Sequence, residues 1–133
     1  MAPAGTNSTG FNFRLDLHSG VPVYRQIIDQ VLGAIASGQL RPGGRLPTVR
    51  QVAVDLAINP NTVVRAYKEL EIRGVLVTQQ GTGTFISEKQ IKPDELERQR
   101  RLTQLVGEMV ARAGSEGFTV REIIALLRET QQA

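Results

Sequence analysis

Residues 46–85 run LPTVRQVAVDLAINPNTVVRAYKELEIRGVLVTQQGTGTF, and each quarter carries its own structural signal. Thr48 follows Leu46-Pro47 where an N-cap belongs, its hydroxyl placed to accept an orphan backbone N–H. Val49, Val52, Ala53 and Leu56 then fall at i, i+3, i+4 and i+7, one apolar helical stripe. After a tight turn, Asn59 is a second N-cap, and Pro60 fits the first helical position, where its missing N–H costs nothing. Val63, Ala66, Tyr67 and Leu70 repeat the same spacing. Residues 75–78 and 84–87 are rich in β-branched and aromatic side chains. Gln79-Gln80-Gly81-Thr82-Gly83 joins them, and its glycines permit positive φ and close backbone approach. Helix, turn, helix and hairpin are the parts of a winged helix-turn-helix, an architecture that lays its second helix in the DNA major groove.

The second helix divides its residues by face. At about 100° per residue, Asn61, Arg65 and Lys68 point away from the apolar stripe, and Thr62 lies on the flank of the first turn. Asparagine suits bidentate pairing with adenine, and arginine suits guanine O6 and N7. Any amphipathic helix shows water a polar face. The assignment to DNA therefore rests on the helix before and the hairpin after. In the hairpin, the side chains of Gln80 and Thr82 and the backbone of Gly81 and Gly83 suit a phosphate or a minor-groove edge. An ordinary tight hairpin would read alike in isolation; its position after the second helix makes it a wing.

Outward from this stretch, Phe11, Phe13, Leu15 and Leu17 alternate with polar residues, predicting a short strand or extended arm that packs one face. A first helix is expected over 22–37, with Ile27, Ile28, Val31, Leu32 and Ile35 as its stripe and Gly38 as its C′ residue. Arg45-Leu46 forms a minimal strand against the wing, giving a three-stranded sheet beside three helices. Residues 88–93 read as a linker, with Pro93 near a helix start. A helix over 94–113 carries Leu102, Leu105, Val106, Met109, Val110 and Ala113 on one face, and Gly114-Ser115-Glu116-Gly117 breaks it. Thr119-Val120-Arg121-Glu122 is a capping box opening a last helix to Thr130, with Val120, Ile123, Ile124 and Leu127 as its apolar face. The fold class is thus mainly α with a small β wing. A disordered tail (1–10) precedes the winged helix-turn-helix domain (11–87), and a linker with a two-helix antiparallel hairpin (88–133) follows. Two stripes alone do not close a core. They pack back onto the protein's own winged helix or, the favoured account, against the same hairpin of a second subunit.

A chain of 133 residues holds one domain and a modest extension. Without cysteine there are no disulfides or thiolate sites, and the single histidine, His18, belongs to the turn before the first helix and makes no metal cluster. No nucleophile has a base partner, and the glycine loop lacks the Lys and Ser/Thr of a P-loop, so neither catalysis nor a cofactor is expected. No apolar run reaches the roughly 18–20 residues of a membrane span, and residues 1–10 lack the regions of a secretory signal, which gives a cytoplasmic expectation. Residues 21–87 hold seven cations against four carboxylates, the whole net charge of +3, whereas eight of each balance from residue 88 onward. The excess falls on the DNA-binding part, as attraction to phosphate requires.

The sequence resembles the N-terminal domain of the GntR-type bacterial transcription regulators. The resemblance is carried by Pro22-Val23-Tyr24, Gly38-Gln39-Leu40-Arg41-Pro42-Gly43, Leu46-Pro47-Thr48-Val49-Arg50, Asn61-Thr62-Val63, Tyr67, Leu70, Gly74 and Gly81-Thr82-Gly83-Thr84. The short tail, with Asn59-Pro60-Asn61-Thr62 in the turn, is most similar to the YtrA-like subgroup. The resemblance implies DNA contacts by Arg50, Thr62 and the wing tip, a homodimer, and regulation that leaves room for a small-molecule effector named by no residue here. Many relatives carry arginine in the turn and at the place of Val64, where this chain has Pro60 and Val64. Base preference is therefore not carried over, and Asn59, Asn61 and Arg65 bear more of the load. The expected function is a dimeric, sequence-specific repressor on double-stranded DNA. The alternative is a protein–protein interaction module that does not use its winged helix for DNA; it would favour apolar or aromatic groups where Asn61, Arg65 and Lys68 stand.

Overall fold

The computed structural model describes residues 11–89 and 94–131, which include eight elements in two compact units. The first unit holds α1 (Val23–Ala36), β1 (Arg45–Leu46), α2 (Val49–Leu56), α3 (Pro60–Ile72), β2 (Leu76–Gln79) and β3 (Gly83–Ile86). The strands form one antiparallel sheet in the order β1-β3-β2. Leu76 pairs with Ile86 and Gln79 with Gly83, while Arg45 pairs with Phe85 and Leu46 with Thr84. Helices α1 and α2 both pack on α3, and their stripes meet in one core. Ile27, Ile28, Val31, Leu40, Leu46, Val63 and Leu70 are its fully buried centre.

Residues 11–16 form an extended arm rather than a strand. Phe11 and Phe13 are buried edge to face, with ring centroids 4.8 Å apart, while Leu17 stays exposed. The arm bonds to two glutamines one turn apart on α1. Buried Gln26 accepts from Asp16 N–H at 2.8 Å and donates to the Asp16 and Val21 carbonyls, each at 2.9 Å. Gln30 accepts from Arg14 N–H and donates to the Arg14 carbonyl. Each side-chain amide thus supplies the donor and acceptor that a neighbouring strand would offer. His18 lies in the turn that follows.

The second unit holds α4 (Glu95–Ser115) and α5 (Val120–Thr130). Asp94 caps α4 by accepting from Leu96 N–H at 3.1 Å. Thr119 caps α5, accepting from Glu122 N–H at 3.2 Å while its hydroxyl donates to the Glu122 carboxylate at 3.0 Å. The break expected over residues 114–117 occurs two residues late within that stretch: α4 runs through Gly114 to Ser115, and the left-handed conformation falls at Gly117, φ 90°. A helical glycine costs only about 1 kcal/mol relative to alanine, whereas the turn needs positive φ at one position. The two helices make no extended contact with one another, and neither has a buried side chain. The sequence reading of 88–93 as a linker lies partly outside the described residues.

Candidate nucleic-acid interface

Helix α3 is fixed at its start, middle and end. At the start, Asn59 Oδ1 accepts from Asn61 N–H at 2.8 Å and Pro60 occupies the first helical position. In the middle, the buried Tyr67 hydroxyl donates to the Pro47 carbonyl at 2.6 Å. Burial raises its pKa well above the ordinary phenol range, which keeps that donor protonated. At the end, Thr78 of β2 donates to the Glu71 carboxylate at 2.8 Å, joining the wing to the helix it follows. The turn before α3 closes on Ala57, in the left-handed conformation at φ 55° and ψ 48°, with Ile58 N–H bonded back to the Ala53 carbonyl at 3.0 Å.

This frame brings four of the sequence-predicted residues together. Asn59, Asn61, Thr62 and Arg65, with Val23 and Tyr24 of α1, line an open concavity of about 350 Å³. Arg65 does not simply extend into water: its Cζ lies 3.7 Å from the centroid of the Tyr24 ring. Lys68 is exposed one turn further along the same stripe. Arg50, in the first turn of α2, is exposed and does not line the concavity. Ion pairs among the described residues occupy Arg73, Arg100 and Arg112, and leave Arg45, Arg50, Arg65 and Lys68 without a carboxylate partner. Cations not neutralised internally are free to displace counterions from phosphate.

In the wing the strands extend to the Gln79–Gly83 pair, and only Gln80, Gly81 and Thr82 form the loop. Thr82 N–H is spent on the Gln79 carbonyl at 2.9 Å, so it does not serve as a donor to phosphate. Gly81 has φ 80° and open space beyond it. At Gly83, φ 138°, an added Cβ would come within 3.1 Å of Arg45 Nε. Arg45 thus runs along the root of the wing, its Cζ 6.0 Å from the Phe85 ring centroid. Tyr24 and Arg45 are the two residues that sequence reading missed. Each stands beside its partner only through the packing of α1 on α3 and the β1-β3-β2 order, and neither proximity is encoded in local spacing. Among the described residues no His, Asp or Glu cluster could hold a metal ion, and no helix is long and apolar enough to cross a membrane.

Three helices with a helix-turn-helix, followed by an antiparallel wing, define a winged-helix DNA-binding protein. The sequence pattern of the family described as "Bacterial regulatory proteins, gntR family" matches residues 23–86. The chain is 40% identical over 107 residues to "Uncharacterized HTH-type transcriptional regulator YhcF" of Bacillus subtilis (strain 168), covering 80% of this chain and 87% of that protein. It is 47% identical over 75 residues to "HTH-type transcriptional repressor YtrA" of the same organism, covering 56% of this chain and 58% of that repressor's length. Among solved structures it is similar to a transcriptional antiterminator from Listeria monocytogenes EGD-e, with TM-score 0.65 and 30% identity over 92% of this chain and 91% of that one. The chain belongs to the GntR family and is a DNA-binding transcriptional regulator.

Proposed function

We propose that the protein is a homodimeric repressor that binds an inverted-repeat operator, reading bases with Asn61, Thr62 and Arg65 and steadying itself with the wing and Arg50. The observation that carries the base-reading part is the concavity at the start of α3, where amide, hydroxyl and guanidinium groups converge without an acidic partner. Those groups match the edges of adenine and guanine in the major groove. A protein-docking use of this face would want apolar anchors where Asn61, Arg65 and Lys68 stand. Repression is supported by the similarity to YtrA, a transcriptional repressor. Its mechanism is steric occlusion of a promoter by two linked winged helices.

The dimer is supported by the second unit. Leu102, Leu105, Val106, Met109, Ile124 and Leu127 are between 42 and 52% exposed in the single chain, and Val110 and Ile123 are half-buried. Val120 of the same stripe is also exposed, and Leu96, Phe118 and Leu126 enlarge the uncovered apolar surface beyond the stripe read from the sequence. Selection of bound sequences from a random duplex pool tests the reading. A two-fold symmetric consensus is expected; a site without symmetry, or no enrichment, overturns it.

A further inference from the structure

We propose that Tyr24 is a specificity-positioning residue, its ring holding the Arg65 guanidinium at the concavity so that the base preference of α3 depends on a side chain of α1. The proposal rests on the reading of α3 as the helix that meets the bases. Arginine is long and loses rotamer freedom when it is fixed against a base edge. A side chain already ordered before binding gives up less. The Tyr24 ring supplies that order: Arg65 Cζ sits over the ring, 3.7 Å from its centroid, a cation–π contact. The contact is made with the charged group as a whole and uses none of its five N–H donors in a hydrogen bond to an oxygen acceptor. Among the described residues nothing competes for them, since Arg65 has no hydrogen bond or carboxylate partner there.

The ring itself is anchored. Tyr24 is half-buried and packs against the core, whereas Arg65 is exposed. Its hydroxyl has no hydrogen-bond partner among the described residues, so the aromatic face, not the phenol, makes the contact. Helix α1 is in turn held by the Gln26 and Gln30 bonds to the arm, which fixes where Tyr24 stands. The arrangement also suits the departure at Val64. With no arginine at that position, one well-placed guanidinium on the outward stripe carries the discrimination.

The test uses the full chain, a duplex selected from a random pool, its single-base-pair variants and a scrambled duplex. Tyr24→Phe keeps the ring; Tyr24→Leu and Tyr24→Met remove it while leaving an apolar body against the core. Removing the ring is expected to lower discrimination about fivefold at the same base pair that Arg65→Ala flattens, with binding to scrambled DNA changed by less than about twofold. Tyr24→Phe should match the parent, and Tyr24→Leu should add nothing in an Arg65→Ala background. Full discrimination in both ring-less variants overturns the positioning role alone. So does an equal loss on every duplex shared by Tyr24→Phe and Tyr24→Leu, which would make the phenol a phosphate contact. If Arg65→Ala itself keeps every base preference, the reading of α3 at this residue fails and the positioning role falls with it.

Discussion

Ala57 holds the helix-turn-helix corner in a conformation that alanine disfavours, φ 55° and ψ 48°. An L-residue there costs about 1–2 kcal/mol; glycine would relieve that strain, and its larger entropy loss on folding would cancel part of the gain. Ala57→Gly should therefore raise stability by up to about 1 kcal/mol, read as a higher urea midpoint with unchanged slope; a lower midpoint would mean that the methyl group is needed in the corner. For binding, the two polar residues should separate. Asn61 borders the concavity and should lose base preference on Asn61→Ala, whereas Arg50 stands on the supporting helix and Arg50→Ala should weaken cognate and scrambled duplexes alike. An Asn61→Ala protein with intact preference would remove Asn61 from base reading. Caps such as Thr48, Asn59 and Thr119 were legible in the sequence because capping is settled within a few residues. The left-handed Ala57, the Tyr24–Arg65 contact and Arg45 beside Gly83 were not, because tertiary closure creates them.

At the scale of elements, periodicity placed the helices of the first unit and composition its wing strands, with ends shifted by a residue or two. The strands begin and end one residue nearer the wing tip than their composition suggests, since pairing extends to Gln79 and Gly83 whatever their propensity. For residues 11–16 the alternation left strand and extended arm both open, because it reports which face is buried, not whether a ladder partner exists. The wing follows from this register. Replacing Gln80-Gly81-Thr82 by Asn-Gly keeps the Gln79–Gly83 pair and closes it with a two-residue turn. The tip is lost and the sheet is kept. Affinity should fall by about two- to tenfold, the worth of one typical hydrogen bond, on cognate and scrambled duplexes equally. Circular dichroism would verify the fold and gel shifts the binding. Parental affinity in a folded variant would take the tip out of the mechanism.

For the whole molecule, the apolar core of the described residues lies within the first unit, and neither α4 nor α5 of the second unit has a buried side chain. Helices with stripes this exposed are stable only when something covers them, because tertiary packing supplies most helix stability. Covering a leucine-sized side chain contributes about 1.5–3 kcal/mol, so a few per subunit suffice to hold two copies together. An isologous pair would place two copies of α3 on an inverted repeat and double the positive excess of residues 21–87. Linkage then makes the second half-site an intramolecular event, raising operator affinity beyond that of one domain. Truncation after Ser87 should leave a folded monomer, because every residue of the core is retained. Its operator binding should drop by about a hundredfold or more with the loss of linked binding, while affinity for an isolated half-site should be unchanged. Sedimentation of the full and shortened chains, beside gel shifts on whole and half operators, measures both quantities. A full-length chain that stays monomeric at micromolar concentration yet binds its operator tightly would refute the dimer and the role assigned to α4 and α5.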